Sequence, residues 1–141
     1  MPNQRIFCIW LWLMLAAAIA SAQTSRAASA ASYLERGNQW MAKGELERAI
    51  ADFDLALAFD SRLASAYGNR GIARHAQGDL EGALRDFNRA IELEPRVARG
   101  YYNRGLLREL QGKFDEAIAD YDSAISRDPR YVRAYVSRGD A

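Results

Sequence analysis

One cysteine, one histidine and three prolines are all that the 141 residues hold of these types, and each scarcity excludes something. Cys8 lies inside an apolar run near the N-terminus that is expected to be removed, so the remaining chain has no thiol for a disulfide or a nucleophile. His75 stands alone, with no histidine–carboxylate cluster to hold a metal ion. The serines have no base at a recognisable spacing, which argues against a hydrolase or transferase working from a hidden site. The glycines follow no strand–turn–helix phosphate motif. Neither an enzyme nor a cofactor is expected. Charge of one sign is also missing, with 19 basic residues against 18 acidic ones. Such a balance gives no reason to expect nucleic acid or an anionic membrane as partner.

What is present begins with a leader. Met1 to Arg5 is a short, weakly basic opening, and Ile6 to Ile19 is apolar without interruption. Ala20-Ser21-Ala22 then supplies the small-x-small pattern of a signal peptidase site, with cleavage expected before Gln23. The run is about 14 residues, short of the roughly 20 that cross a bilayer as a helix. Because Arg5 is the only base in the opening, an uncleaved anchor in the inner membrane is the alternative. Cys8 lacks the preceding small residues that lipoprotein processing needs, and twin arginines are absent. Residues 1–22 are therefore read as an export signal, which implies a periplasmic or secreted protein with no membrane contact after cleavage. Residues 23–29, within an Ala/Ser-rich stretch from Gln23 to Ala31, read as a linker or a frayed helix start.

Beyond the leader one period dominates. Gly37, Gly71, Gly105 and Gly139 are spaced by 34 residues, as are Tyr33, Tyr67, Tyr101 and Tyr135. Gly44, Gly78 and Gly112 keep the step, and so do Ala49, Ala83 and Ala117, then Ala56, Ala90 and Ala124, then Phe53, Phe87 and Tyr121. A fixed period with coherent residue types at many phases is the mark of a repeat architecture. Each period holds two helical stretches. The first run from Tyr33 to Lys43, Tyr67 to Gln77 and Tyr101 to Gln111; the second from Leu46 to Phe59, Leu80 to Leu93 and Phe114 to Arg127. Gly44, Gly78 and Gly112 stand where the first helix must end in a left-handed residue. Asp79 can cap the next helix, and Glu45 adds favourable first-turn charge. Pro95 and Pro129 follow the second helix and stop it, whereas Ser61 predicts a softer stop in the first period. Gly37 and Ala49 are expected where the two helices of a period cross, Ala56 against the next period, and the periodic aromatics in the core.

Stretches such as AYGNRGIARHAQGDLEGALRDFNRAIELEP and GYYNRGLLRELQGKFDEAIADYDSAISRDP resemble tetratricopeptide repeats, and the resemblance covers residues 30–131 as three units: 30–63, 64–97 and 98–131. Residues 132–141 form a partial fourth repeat or capping helix. The resemblance implies an all-α fold, an α–α superhelix (solenoid) of three helix-turn-helix repeats plus a short terminal helix. Two positions depart from the family pattern. Arg36, Arg70, Arg104 and Arg138 stand where a large apolar residue is usual, and Arg74 and Arg108 replace an aromatic that only Trp40 supplies.

The resemblance further implies a concave groove, lined by the first helices, that takes a peptide or a partner's helix. Carried over by phase, the groove residues are Leu34, Asn38, Met41, Asn69, Ile72, His75, Arg99, Tyr102, Asn103, Leu106 and Arg133. The family's carboxylate clamp would fall on Leu34, Asn38, Asn69, Arg99 and Asn103, but Leu34 and Asn103 stand where bases are needed, so one cation remains. The expected function is an exported scaffold or adaptor that binds a protein or peptide; the alternative is a periplasmic accessory chaperone for unfolded exported clients. Two structural expectations follow from the ladders of Arg and Asp and from the short end. Asp52, Asp86 and Asp120 are expected to meet the Arg of the following repeat (Arg70, Arg104 and Arg138), the alternative being pairing within a repeat that leaves Arg138 free. The short final helix is expected to bury Tyr135 yet leave Ile118, Tyr121 and Ile125 more exposed than their equivalents, opening this edge to self-association or a partner helix.

Overall fold

The computed structural model describes residues 3–140, with side chains from Ile9 to Gly139; Met1, Pro2 and Ala141 lie outside it, and Cys8 is described only in its backbone. Among the described residues seven helices follow one another: α1 Asn3–Ala42, α2 Leu46–Phe59, α3 Ala64–Ala76, α4 Leu80–Leu93, α5 Ala98–Leu110, α6 Phe114–Arg127 and α7 Val132–Asp140. No strand occurs among the described residues. The second helices have the bounds read from the sequence, while α3 and α5 begin three residues before the expected tyrosines.

The turns repeat as the residues do. Gly44, Gly78 and Gly112 take φ of 75°, 85° and 74°, and the residue after each donates its N–H five residues back: Glu45 to Trp40, Asp79 to Arg74, Lys113 to Arg108, at 2.9–3.0 Å. This Schellman closure satisfies the carbonyls left over at a helix end. Asp79 Oδ1 accepts from the Gly82 N–H at 2.9 Å and caps α4. The softer stop expected at Ser61 is not found. Helix α2 ends at the same phase as α4 and α6, because Asp60 Oδ1 accepts from the Arg62 N–H and closes the turn that proline would otherwise enforce.

The linker reading of residues 23–29 is corrected as well. This segment is helical, and α1 runs unbroken from the leader into the first repeat. Alanine is the best helix former, and the intervening hydroxyls bond back along the helix: Thr24 Oγ1 to the Ala20 carbonyl, Ser29 Oγ to that of Ser25. Inside the helix these residues no longer favour a loop. Ala30 is already buried.

Phe53, Phe87 and Tyr121 are the large side chains at the centre of each repeat, all essentially without solvent contact. Each ring lies on the glycine of its own first helix. A Cβ on Gly37, Gly71 or Gly105 would stand 2.6–2.7 Å from the ring, so the glycine makes room for the aromatic rather than for a closer helix crossing. Ala56 and Leu57 pack against Ala66 of the next repeat, with Tyr33, Leu34 and Tyr67 around them. Each first helix thus packs on its own second helix, each second helix on the next first helix, and α1, α3 and α5 touch in sequence along one side.

The ion ladder differs from the favoured expectation. Asp52, Asp86 and Asp120 pair within their own repeat, each with two parallel bonds from Arg36, Arg70 and Arg104. Arg74 and Arg108 add a second guanidinium to Asp86 and Asp120, both at 2.8 Å, which explains the departure from an aromatic at these positions. The link to the preceding repeat exists too, through another residue. Arg70 reaches Asp54, Arg104 reaches Asn88 at 2.7 Å and Arg138 reaches Asp122 at 2.8 Å. Two residues on a helix point about 200° apart, so Asp52 faces its own first helix and Asp54 the next one. Arg138 is therefore not free, as the alternative pairing required.

At the C-terminal edge, Tyr121 is fully buried like Phe53 and Phe87. Ile118 and Ile125 are half-buried, as are Leu84 and Ile91. The expected exposed patch on α6 is absent because Tyr121 is covered by its own repeat, and Ala134 of α7 seals the contact. Tyr135, expected to be buried, is 41% exposed.

Candidate functional site

The eleven residues assigned to the groove all lie on the first helices or on α7, and none belongs to the fully buried core. Arg99 and Arg133 are exposed and the other nine are half-buried. Several of them serve the fold as well. Leu34 packs beside Ala56 and Ala66, and Ile72 beside Phe87 and Leu107. Tyr102 meets the rings of Tyr121 and Tyr131 at 6.0 and 5.1 Å.

Three of the eleven are joined directly, each from a different repeat. Asn69 Nδ2 donates to Asn38 Oδ1 at 2.7 Å, and Arg99 Nη2 donates to Asn69 Oδ1 at 3.2 Å. Asn103 and Arg99 also line a notch shared by α3, α4 and α5, whose lining includes Gly68 and Gly100. Met41, His75, Leu106 and Arg133 lie on α1, α3, α5 and α7 as separate points of the face.

Three further residues lie on this candidate face and were missed. Gly68 and Gly100 open the notch because they carry no side chain. Glu109 occupies the phase of Met41 and His75, so the 34-residue step alone places it, and it accepts the Tyr121 hydroxyl. Burial and then Glu109 push the Tyr121 phenol well above its ordinary value, so it stays a neutral donor. The face offers amide and guanidinium donors among apolar side chains, which suits reversible binding of a polar chain. Among the described residues no group of three His, Cys, Asp or Glu is placed to hold a metal.

Comparison with known proteins agrees with the repeat geometry. A family described as tetratricopeptide repeat matches residues 69–132 and 111–141, and one described as TPR repeat matches residues 37–78. No curated protein matches the sequence. Among solved structures, the second TPR of Spaghetti (RPAP3) bound to the HSP90 peptide SRMEEVD is 30% identical, with a TM-score of 0.73 over 77% of this chain and 99% of that one. The second TPR domain of human RPAP3, in complex with the HSP70 peptide SGPTIEEVD, is 27% identical, with a TM-score of 0.74 over 84% and 96%. MamA is 32% identical with a TM-score of 0.74; the match covers 78% of this chain and 64% of MamA.

Proposed function

The chain belongs to the tetratricopeptide repeat family, and from that premise we propose that it is an exported interaction module, a scaffold or adaptor that binds a peptide or a partner's helix on the face of α1, α3 and α5. The observation that carries this reading is the hydrogen-bonded row Asn38–Asn69–Arg99, which runs across three repeats among half-buried apolar residues. Two related repeat domains hold short peptides, which supports a peptide as the class of ligand here. The clamp phases do not favour a bare C-terminal carboxylate, since Leu34 and Asn103 supply no charge beside Arg99.

Export is the second part of the proposal. From Ile9 to Leu15 the large apolar side chains of α1 are 53–73% exposed and contribute nothing to the repeat core, as suits a leader read by the export machinery and then removed. No helix among the described residues is long and apolar enough to cross a membrane.

The test places a photo-crosslinking residue at Leu106 in the native envelope and identifies the captured proteins by mass spectrometry. One stoichiometric partner supports the scaffold. A broad set of unfolded exported clients supports the chaperone instead, and no capture at Leu106 but capture on α4 overturns the groove.

A further inference from the structure

We propose that an exposed face of α7 docks one amphipathic helix of another protein, recognised by an Asp directly followed by Phe or Tyr between two alanines. The face is separate from the groove, and the inference does not rest on the groove reading. Four positions of α7 are open at phases that α3 and α5 cover. Val132 is 70% exposed where Ala98 is 8% exposed, and Tyr135 is 41% exposed where Tyr101 is 8% exposed. Val136 is exposed at the phase of buried Gly68 and half-buried Tyr102, and Gly139 at the phase of buried Gly71 and Gly105. Spaced at i, i+3, i+4 and i+7, these four residues share one side of the helix.

The repeats define what such a face takes. In α1, α3 and α5 the glycine of this phase lies under a ring of the second helix, 2.6–2.7 Å from where its Cβ would stand. A Cβ on Gly139 would meet nothing within 4 Å. The arginine before each glycine divides its nitrogens in a fixed way. Arg70 and Arg104 give Nη1 to the preceding repeat, and Nε and Nη2 to the Asp beside the ring. Arg138 gives Nη1 to Asp122 in the same manner, so its Nε and Nη2 edge is the one that takes a carboxylate from an incoming helix. Buried alanines flank every such pair, Ala83 and Ala90 around Asp86 and Phe87 for example, and let the helices approach closely. The recognised pattern is therefore Ala-x-x-Asp-Phe/Tyr-x-x-Ala.

Charge and pairing decide where that helix comes from. The Asp–aromatic pairs of this chain, Asp52–Phe53, Asp86–Phe87 and Asp120–Tyr121, are all buried in their own repeats, so a second copy has none to offer. The leader holds no acidic residue before Glu35 and brings no carboxylate to Arg138. Two copies meeting through α7 would set Arg133 and Arg138 of each against those of the other, a juxtaposition that repels. A helix of another protein, carrying its own Asp and ring, meets both requirements.

The experiment uses the full chain and a helix-constrained peptide of 14 residues, the length of α2, α4 and α6, with the pattern above and Phe as its ring. The constraint removes the ordering cost of a short helix. Fluorescence anisotropy is expected to show saturable binding, at least about tenfold weaker when the peptide's Asp becomes Asn or its Phe becomes Ala. Arg138→Gln is expected to weaken it by about tenfold as well. Gly139→Ala separates docking from folding. Its methyl group touches nothing in the chain, so the melting temperature is expected to hold or rise, yet it stands where the ring must lie and should weaken binding at least about tenfold. A photo-crosslinker at Val132 is expected to capture the peptide, and one at Leu106 is not. No binding at millimolar concentration, unchanged affinity in Gly139→Ala, or crosslinking at Leu106 alone overturns the proposal. So does a lowered melting temperature of Gly139→Ala, which would mean that the chain itself covers this face. Sedimentation is expected to show a monomer; a dimer that Gly139→Ala dissociates would give the face to a second copy and overturn the partner helix.

Discussion

Arg70 grips Asp86 with two parallel bonds, Nε to Oδ2 at 2.9 Å and Nη2 to Oδ1 at 2.6 Å, and turns its remaining nitrogen to Asp54 of the preceding repeat. One side chain thereby joins the two helices of its own repeat and ties that repeat to its neighbour. The two carboxylates are not equivalent. The Asp86 side chain is 3% exposed and that of Asp54 is 52% exposed. Removing the buried one leaves two guanidinium groups, from Arg70 and Arg74, without their common partner. Asp86→Ala is therefore expected to lower stability by about 3 kcal/mol, and Asp54→Ala by less than about 1 kcal/mol. Urea unfolding of both variants checks the contrast, and equal losses would refute it.

Gly71→Ala sets two effects against each other. Alanine gains about 1 kcal/mol of helix propensity over glycine, but its Cβ would stand 2.7 Å from the Phe87 ring. Phe87 is buried at 1% exposure, and overpacking of that kind typically costs about 1–3 kcal/mol. The clash is expected to win, so Gly71→Ala lowers the melting temperature. Combined with Phe87→Leu, the same change should cost less than it does alone. A double-mutant cycle by thermal unfolding measures the difference; additive losses would place the strain elsewhere.

Much of the fold was legible because a 34-residue period repeats chemistry as well as geometry. Gly78 and Asp79 announce a helix end and a cap, and the recurring Phe87 announces a core ring, whereas the role of Gly71 in making space for that ring was not legible. Periodicity places residues on a helix without saying which way they face across a repeat boundary. Asp52 and Asp54 are both acidic, and only the 200° between them decides which meets Arg36 and which Arg70. Tyr121 was misjudged for a related reason. Its cover comes from its own repeat, from Gly105 below and Glu109 at the hydroxyl, so a short following helix does not uncover it. At the groove the eleven positions could be assigned by phase, but the row of Asn38, Asn69 and Arg99 could not, because its spacing departs from the period.

Acid should weaken the first repeat in a defined way. The Arg36 guanidinium holds the Asp52 carboxyl below its ordinary value of 3.8, against burial, which pushes it up. A carboxyl lowered on folding contributes stability that is fully present above the unfolded value and is lost as pH falls through the folded value. Urea midpoints are therefore expected to hold steady from neutral pH to about pH 5 and to fall below about pH 4. Arg36→Gln should flatten the part of that fall due to Asp52. A profile identical to that of the parent would remove the pair from acid unfolding.

The leader makes the last test, because α1 continues it into the first repeat without a break. From Ile9 to Ala28 every residue is exposed, and burial begins only at Ser29 and Ala30. Export processing before Gln23 would cut the helix in a stretch that nothing packs against. The remaining helix, Gln23 to Ala42, still carries Ala30, Tyr33 and Gly37 to the packing of the first repeat. A chain starting at Gln23 is thus expected to melt within a few degrees of the full chain, since surface segments far from packing change stability by less than about 0.5 kcal/mol. A chain starting at Leu34 loses Ala30 and Tyr33, whose ring stacks on Phe59 at 5.5 Å, and should melt distinctly lower. In cells, N-terminal sequencing of the osmotic-shock fraction should return Gln23. Recovery of the intact N-terminus from the membrane fraction, with the Gln23 chain still folding normally, would replace export by anchoring.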